Sequence, residues 1–149
     1  MLKPGVKTMP DTDLAQRYAG YIACLNRQDW PALGQFVHED VHYNDQLIGL
    51  DGYRRMLEQD FQQIPDLRFT IELLVADAQR VASRLTFTCT PVGTFMGLAV
   101  NGRTVHFTEN VFYQFRDGKI ERVWSVIDKA AIEAQLLTGS DQTQAAHRR

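Results

Sequence analysis

The chain has 149 residues, with sixteen Lys and Arg against eighteen Asp and Glu and a net charge of −2. That length suits one domain able to bury its own core without a metal or disulfide staple. The even charge argues against a nucleic-acid-binding module and against a polybasic membrane anchor. Cys24 and Cys89 lie far apart, with no Cys or His neighbour at ligand spacing. They read as two buried, reduced thiols rather than a zinc site. No stretch approaches the length of an apolar membrane span. Residues 1–10 carry Lys3, Pro4, Gly5, Lys7 and Pro10 and lack the apolar run of a signal peptide. The expectation is a cytoplasmic protein with no nucleic-acid or membrane partner.

Both ends read as flexible tails, 1–10 and 138–149, around a single domain over 11–137. Leu14, Tyr18, Tyr21, Ile22 and Leu25 recur at helical spacing, with Asp11, Thr12 or Asp13 as a cap. A short second helix is predicted over Trp30–Val37, with Asp29 before it and Pro31 in its first turn. His38-Glu39-Asp40 breaks the pattern, and Val41–Asn44 fits a short strand. A third helix starts at Asp51 and places Tyr53, Met56, Leu57, Asp60 and Phe61 on one face. Ile64-Pro65-Asp66 ends it.

The second half reads as strands. Arg68–Val75 sets Phe69, Ile71 and Leu73 on one face, and a turn at Asp77-Ala78-Gln79-Arg80 leads into Val81–Thr90. Val105–Phe115 and Ile120–Ile127 flank the hairpin signal Asp117-Gly118-Lys119. Lys129–Leu137 closes the domain as a helix. Helices, then long antiparallel strands, then a helix describe an α+β domain. A curved sheet around a helix would enclose a cone-shaped cavity.

Several runs together resemble a known family: Gly93-Thr94-Phe95-Met96-Gly97, Asn101-Gly102-Arg103-Thr104-Val105, Phe115-Arg116-Asp117-Gly118-Lys119-Ile120 and Trp124-Ser125-Val126-Ile127-Asp128. In that order they look like the SnoaL-like polyketide (ester) cyclases of the nuclear transport factor 2-like superfamily. Asn26-Arg27-Gln28-Asp29-Trp30 and Gly49-Leu50-Asp51-Gly52-Tyr53 fit the helical half. The resemblance implies a cone-shaped barrel of a strongly curved, six-stranded, mostly antiparallel sheet wrapped around N-terminal helices. It also implies a homodimer through the outer sheet face. The family's acid/base Asp matches Asp128, and its pocket residues match Tyr21 and Asn44. Where the family places a His, this chain carries Tyr113-Gln114-Phe115.

Strand alternation gives its own candidates. Val105, Phe107, Glu109, Val111, Tyr113 and Phe115 share the more apolar face, which should point inward. Glu109 then enters the interior as a pocket carboxylate or as half of a buried pair. Tyr113 is either an oxyanion donor or a core aromatic. Trp124, Val126 and Asp128 share a face, where an apolar cleft beside the indole would raise the pKa of Asp128. Asp128 also precedes the closing helix and fits its N-cap. If the segment is extended, His42 and Asn44 alternate on one face; His42 either lines the mouth or is structural, and Asn44 is either a pocket donor or a turn residue.

There is no phosphate loop, nucleophile elbow or helical His pair, so neither cofactor nor metal is expected. The leading expectation is a cofactor-free cyclase or isomerase acting on a small apolar carbonyl metabolite. Asp128, Tyr113 and Glu109 would be catalytic, and Tyr21, Asn44, His42, Trp124 and Phe107 would bind substrate. The alternative is a non-catalytic binding protein of the same fold.

Overall fold

A computed structural model describes residues 11–148, with side chains over 14–138. The expected N-terminal tail, 1–10, lies outside the described residues. Helix α1 (Asp11–Arg27) forms where the apolar stripe predicts. Leu14, Tyr18, Tyr21, Ile22 and Leu25 are all buried along it. Gln28 then turns into the left-handed region at φ 54° and ends the helix.

The next element is a 3₁₀ helix, Trp30–Gln35, rather than a helix reaching Val37. Strand β1 takes over at Val37 and runs to Tyr43, through the His38-Glu39-Asp40 segment read as a break. Val37 and Val41 are buried, and both Glu39 and Asp40 between them face solvent. The two-residue strand β2 (Gln46–Leu47) follows. Helix α2 (Gly49–Gln63) buries Tyr53, Leu57 and Phe61 and stops before Pro65.

Strand β3 (Thr70–Ala76) pairs with β4 (Arg80–Cys89) across a turn in which Asp77 Oδ1 accepts from the backbone N–H groups of Gln79 and Arg80. A bulge between Ile71 and Leu73 breaks the expected alternation. Leu73 is therefore 61% exposed, while Phe69, Ile71 and Leu74 pack on the core. A small hairpin, β5 (Thr94–Phe95) and β6 (Leu98–Ala99), lies between β4 and β7. Two-residue strands carry no readable period, so the sequence alone predicts no strand there. Strand β7 (Val105–Arg116) and strand β8 (Lys119–Ile127) are joined by Asp117-Gly118, both at positive φ (52° and 76°), as a tight hairpin of this hand requires.

The six strands lie in the order β2-β1-β8-β7-β4-β3. Among the described residues, only β1 and β8 run parallel. The sheet is curled but not closed, since β2 and β3 remain edges. Helix α1 packs on β3 and β4, and α2 on β1. The buried apolar cluster fills the space between helices and sheet. Helix α3 (Lys129–Arg148) packs against β7 through the buried Ile132. It continues past Leu137, where the sequence reading ends it, and the side chains expected as a tail from 139 onward lie outside those described. Cys24 and Cys89 are free and buried. Among the described residues no helix is long and apolar enough to cross a membrane.

Candidate functional site

A cavity of about 300 Å³ opens between α1, α2 and the concave face of the sheet. β7 supplies Phe107, Glu109, Val111 and Tyr113, the alternate residues of its buried parity. α1 supplies Tyr21 and Leu25; α2 supplies Tyr53, Met56, Leu57 and Asp60. Apolar walls come from Phe69, Phe87 and Phe95. The Phe87 and Phe107 rings stack at 5.0 Å, and Phe95 of the small hairpin lies 5.7 Å from Phe107.

All five tyrosines of the chain gather at this cavity or directly behind it. Tyr21 and Tyr53 share a hydroxyl–hydroxyl bond of 2.6 Å. The Tyr18 hydroxyl donates to that of Tyr113 at 3.2 Å, which leaves the Tyr113 hydrogen for another acceptor. Burial raises the pKa of each: Tyr18 is pushed up to about 12, and Tyr21, Tyr43, Tyr53 and Tyr113 also move upward. These phenols therefore stay protonated at neutral pH and serve as donors.

Two carboxyls face this apolar, phenolic interior. Burial raises the pKa of Glu109, with the hydrogen bond donated by the Ser125 hydroxyl opposing it. Asp60 is raised to about 7, by burial first and then by the charge of Glu109. Asp60 was not a sequence-level candidate. The signal for it is a carboxyl on the core-facing stripe of α2, one turn beyond Met56 and Leu57.

The structure brings together Glu109, Tyr113, Tyr21 and Phe107. It does not bring in Asp128, Trp124, His42 or Asn44. Strand β8 presents the opposite parity from the one expected: Val123 and Ile127 line the cavity, and Ser125 between them reaches Glu109. Asp128 is exposed, and its Oδ1 accepts from the Ala131 N–H at 3.1 Å, as an N-cap of α3 does. Trp124 stands opposite Phe112 in the ladder, and its indole N–H donates to Asp45 at 2.9 Å. In β1 the cavity residue is Tyr43, so His42 falls on the other face. Asn44 is a turn residue at φ 47°, and its Oδ1 accepts from the Ser125 N–H at 2.9 Å. Replacing Asp128 with Ala is expected to cost about 1 kcal/mol in a urea melt, while leaving ligand binding in the cavity unaltered.

Fold and site together define a cone-shaped α+β domain whose one enclosed face holds a small-molecule cavity with titratable groups inside. The family model of the SnoaL-like polyketide cyclases matches residues 15–136, and the chain belongs to that family. A SnoaL-like polyketide cyclase from Agrobacterium tumefaciens is 55% identical, with a TM-score of 0.82 over 83% of this chain and 97% of that one. AclR from Streptomyces galilaeus, a proposed hydroxylase, is 27% identical, with a TM-score of 0.66 over 84% and 98%. TsrD from Streptomyces laurentii, at 22% identity and a TM-score of 0.73 over 83% and 93%, shares the fold. A search of curated proteins returns no match.

Proposed function

We propose that this chain is a general acid/base enzyme acting on a small apolar carbonyl compound, with Glu109 as the base. The observation that carries this reading is Glu109 itself. It is a carboxyl held inside an apolar cavity, oriented by Ser125 and raised by burial. A base with a raised pKa takes a proton from carbon more readily than an ordinary carboxylate does. The C–H bond α to the carbonyl breaks and the proton passes to Glu109. The electron pair moves to the carbonyl oxygen, where a tyrosine hydroxyl stabilises it. Tyr113 has a hydrogen to give, because Tyr18 already donates to its oxygen. The enolate carbon then attacks a second carbonyl in the same molecule, whose oxygen takes up the proton held by Glu109, or is reprotonated by Glu109 at another position; either way the base is restored, giving cyclisation or isomerisation.

The test is α-proton exchange. Small aryl ketones are incubated with the protein in D₂O and followed by proton NMR. Wild-type protein is expected to wash out the α-protons faster than buffer does. Exchange at the buffer rate for every ketone would favour a binding protein instead.

The proposed assembly is a homodimer through the outer sheet face. Phe112 is 61% exposed, and Val126 and Val75 are each 70% exposed. The ladder pairs Val75 with Ala82, Ala82 with Phe112 and Phe112 with Trp124, which makes one continuous apolar strip. Such a strip suits its own copy across a two-fold axis. Wild-type protein is expected to sediment as a dimer and Phe112→Asp as a monomer. A monomeric wild type would remove the proposal.

A further inference from the structure

The charge of the cavity is one-sided. Among the described residues its lining includes two carboxyls, Asp60 and Glu109, and no Lys, Arg or His. Glu109 has Ser125 as a partner. The Asp60 side chain has neither a hydrogen bond nor an ion pair with any described residue; burial and the charge of Glu109 are what act on it. Aromatic rings surround the space, with Tyr43 and Tyr53 edge to face at 6.3 Å beside Asp60's helix and the Phe87–Phe107 stack across from it.

These features sort ligands by charge. An anion would enter a poorly solvated space beside two carboxyls and find no cation to offset it. A neutral ligand would leave Asp60 without a partner. A ligand carrying an ammonium group supplies donors to Asp60, and the ring faces attract its charge. The cavity volume of about 300 Å³ lies within the range of small-molecule sites.

We infer that the cavity takes a carbonyl compound bearing a protonated amine, with the ammonium group at Asp60 and the carbonyl among the tyrosine hydroxyls. This rests on the acid/base reading above and adds the charge class of the substrate.

Three matched probes test it: 3-aminopropiophenone (cation), butyrophenone (neutral, same skeleton) and 3-benzoylpropionate (anion). Each is titrated calorimetrically into the full chain at neutral pH. The amino ketone is expected to bind at least about tenfold tighter than butyrophenone, with the anion weakest. Asp60→Asn should bring the ratio between the first two close to one. Equal binding, a preference for the anion, a preference that survives Asp60→Asn, or no binding by any probe would each overturn the inference. The exchange assay separates the two readings. If butyrophenone exchanges its α-protons but the amine gives no advantage, the charge class falls and the acid/base reading stands. An amine preference without exchange of any probe removes the acid/base reading and leaves a cation-binding cavity.

Discussion

Glu109→Gln is expected to slow α-proton exchange by about 10²–10⁴-fold, the usual effect of losing a general base. The substitution keeps the shape of the side chain and leaves an oxygen able to accept the Ser125 bond, so the fold should survive. It removes only the ability to take a proton. Asp128→Asn is the informative partner variant. Asp128 sits at the start of α3, outside the cavity, and its change should leave the exchange rate intact. The wild-type rate should rise with pH as Glu109 ionises. Its midpoint should lie above the ordinary carboxylate range, because burial disfavours the charged form. The midpoint should vanish in Glu109→Gln. Exchange unchanged in Glu109→Gln and abolished in Asp128→Asn would return the chemistry to the outer residue and discard the cavity mechanism.

The contrast between these two carboxylates shows what was legible. In β7 the apolar residues fall almost entirely on one parity, Val105, Phe107, Val111, Tyr113 and Phe115, with Phe112 alone on the other. The inward face could therefore be read, and Glu109 and Tyr113 came with it. In β8 both parities are apolar: Trp124 and Val126 on one, Val123 and Ile127 on the other. A shift of one residue in a period of two moves every side chain to the opposite face. The outward set was the one read as inward, because an exposed apolar strip looks like core in a sequence. Asp128 went with that set. The same slip in β1 favoured His42 over Tyr43, whereas the turn alternative for Asn44 is the one the structure takes. The ordered motifs of the family sufficed for the fold, because fold depends on the spacing of turns and stripes. The site depends on parity, and there the alternation was ambiguous. Asp60 was visible on its stripe, but a single carboxyl on an amphipathic helix gives no sign in the sequence of what stands opposite it.

Asp60 should also measure how much stability the cavity forgoes. Its pKa rises on folding from 3.8 to about 7, so the folded chain holds this proton more tightly than the unfolded one. Below about pH 4 both states are protonated and the group has no net effect. Above about pH 7 both are ionised and the folded state carries the whole penalty of a charge buried beside Glu109. Stability should therefore fall as pH rises between those limits. A shift of this size corresponds at most to about 4 kcal/mol, and partial access of water to the cavity brings the expectation to roughly 2–4 kcal/mol. Asp60→Asn cannot ionise and should escape the penalty. At pH 8 it is expected to be more stable than wild type by that amount, with a melting temperature higher by roughly 5–12 °C. Near pH 4 the two proteins should be nearly equal. Urea melts of both at pH 4, 6 and 8 give the difference directly, because every other carboxyl is common to the pair. A constant gap across that range, or an Asn variant less stable at pH 8, would mean that Asp60 is solvated like a surface residue. A gap that opens with pH would identify Asp60 as a group kept inside at the expense of stability, the usual sign of a residue retained for a ligand.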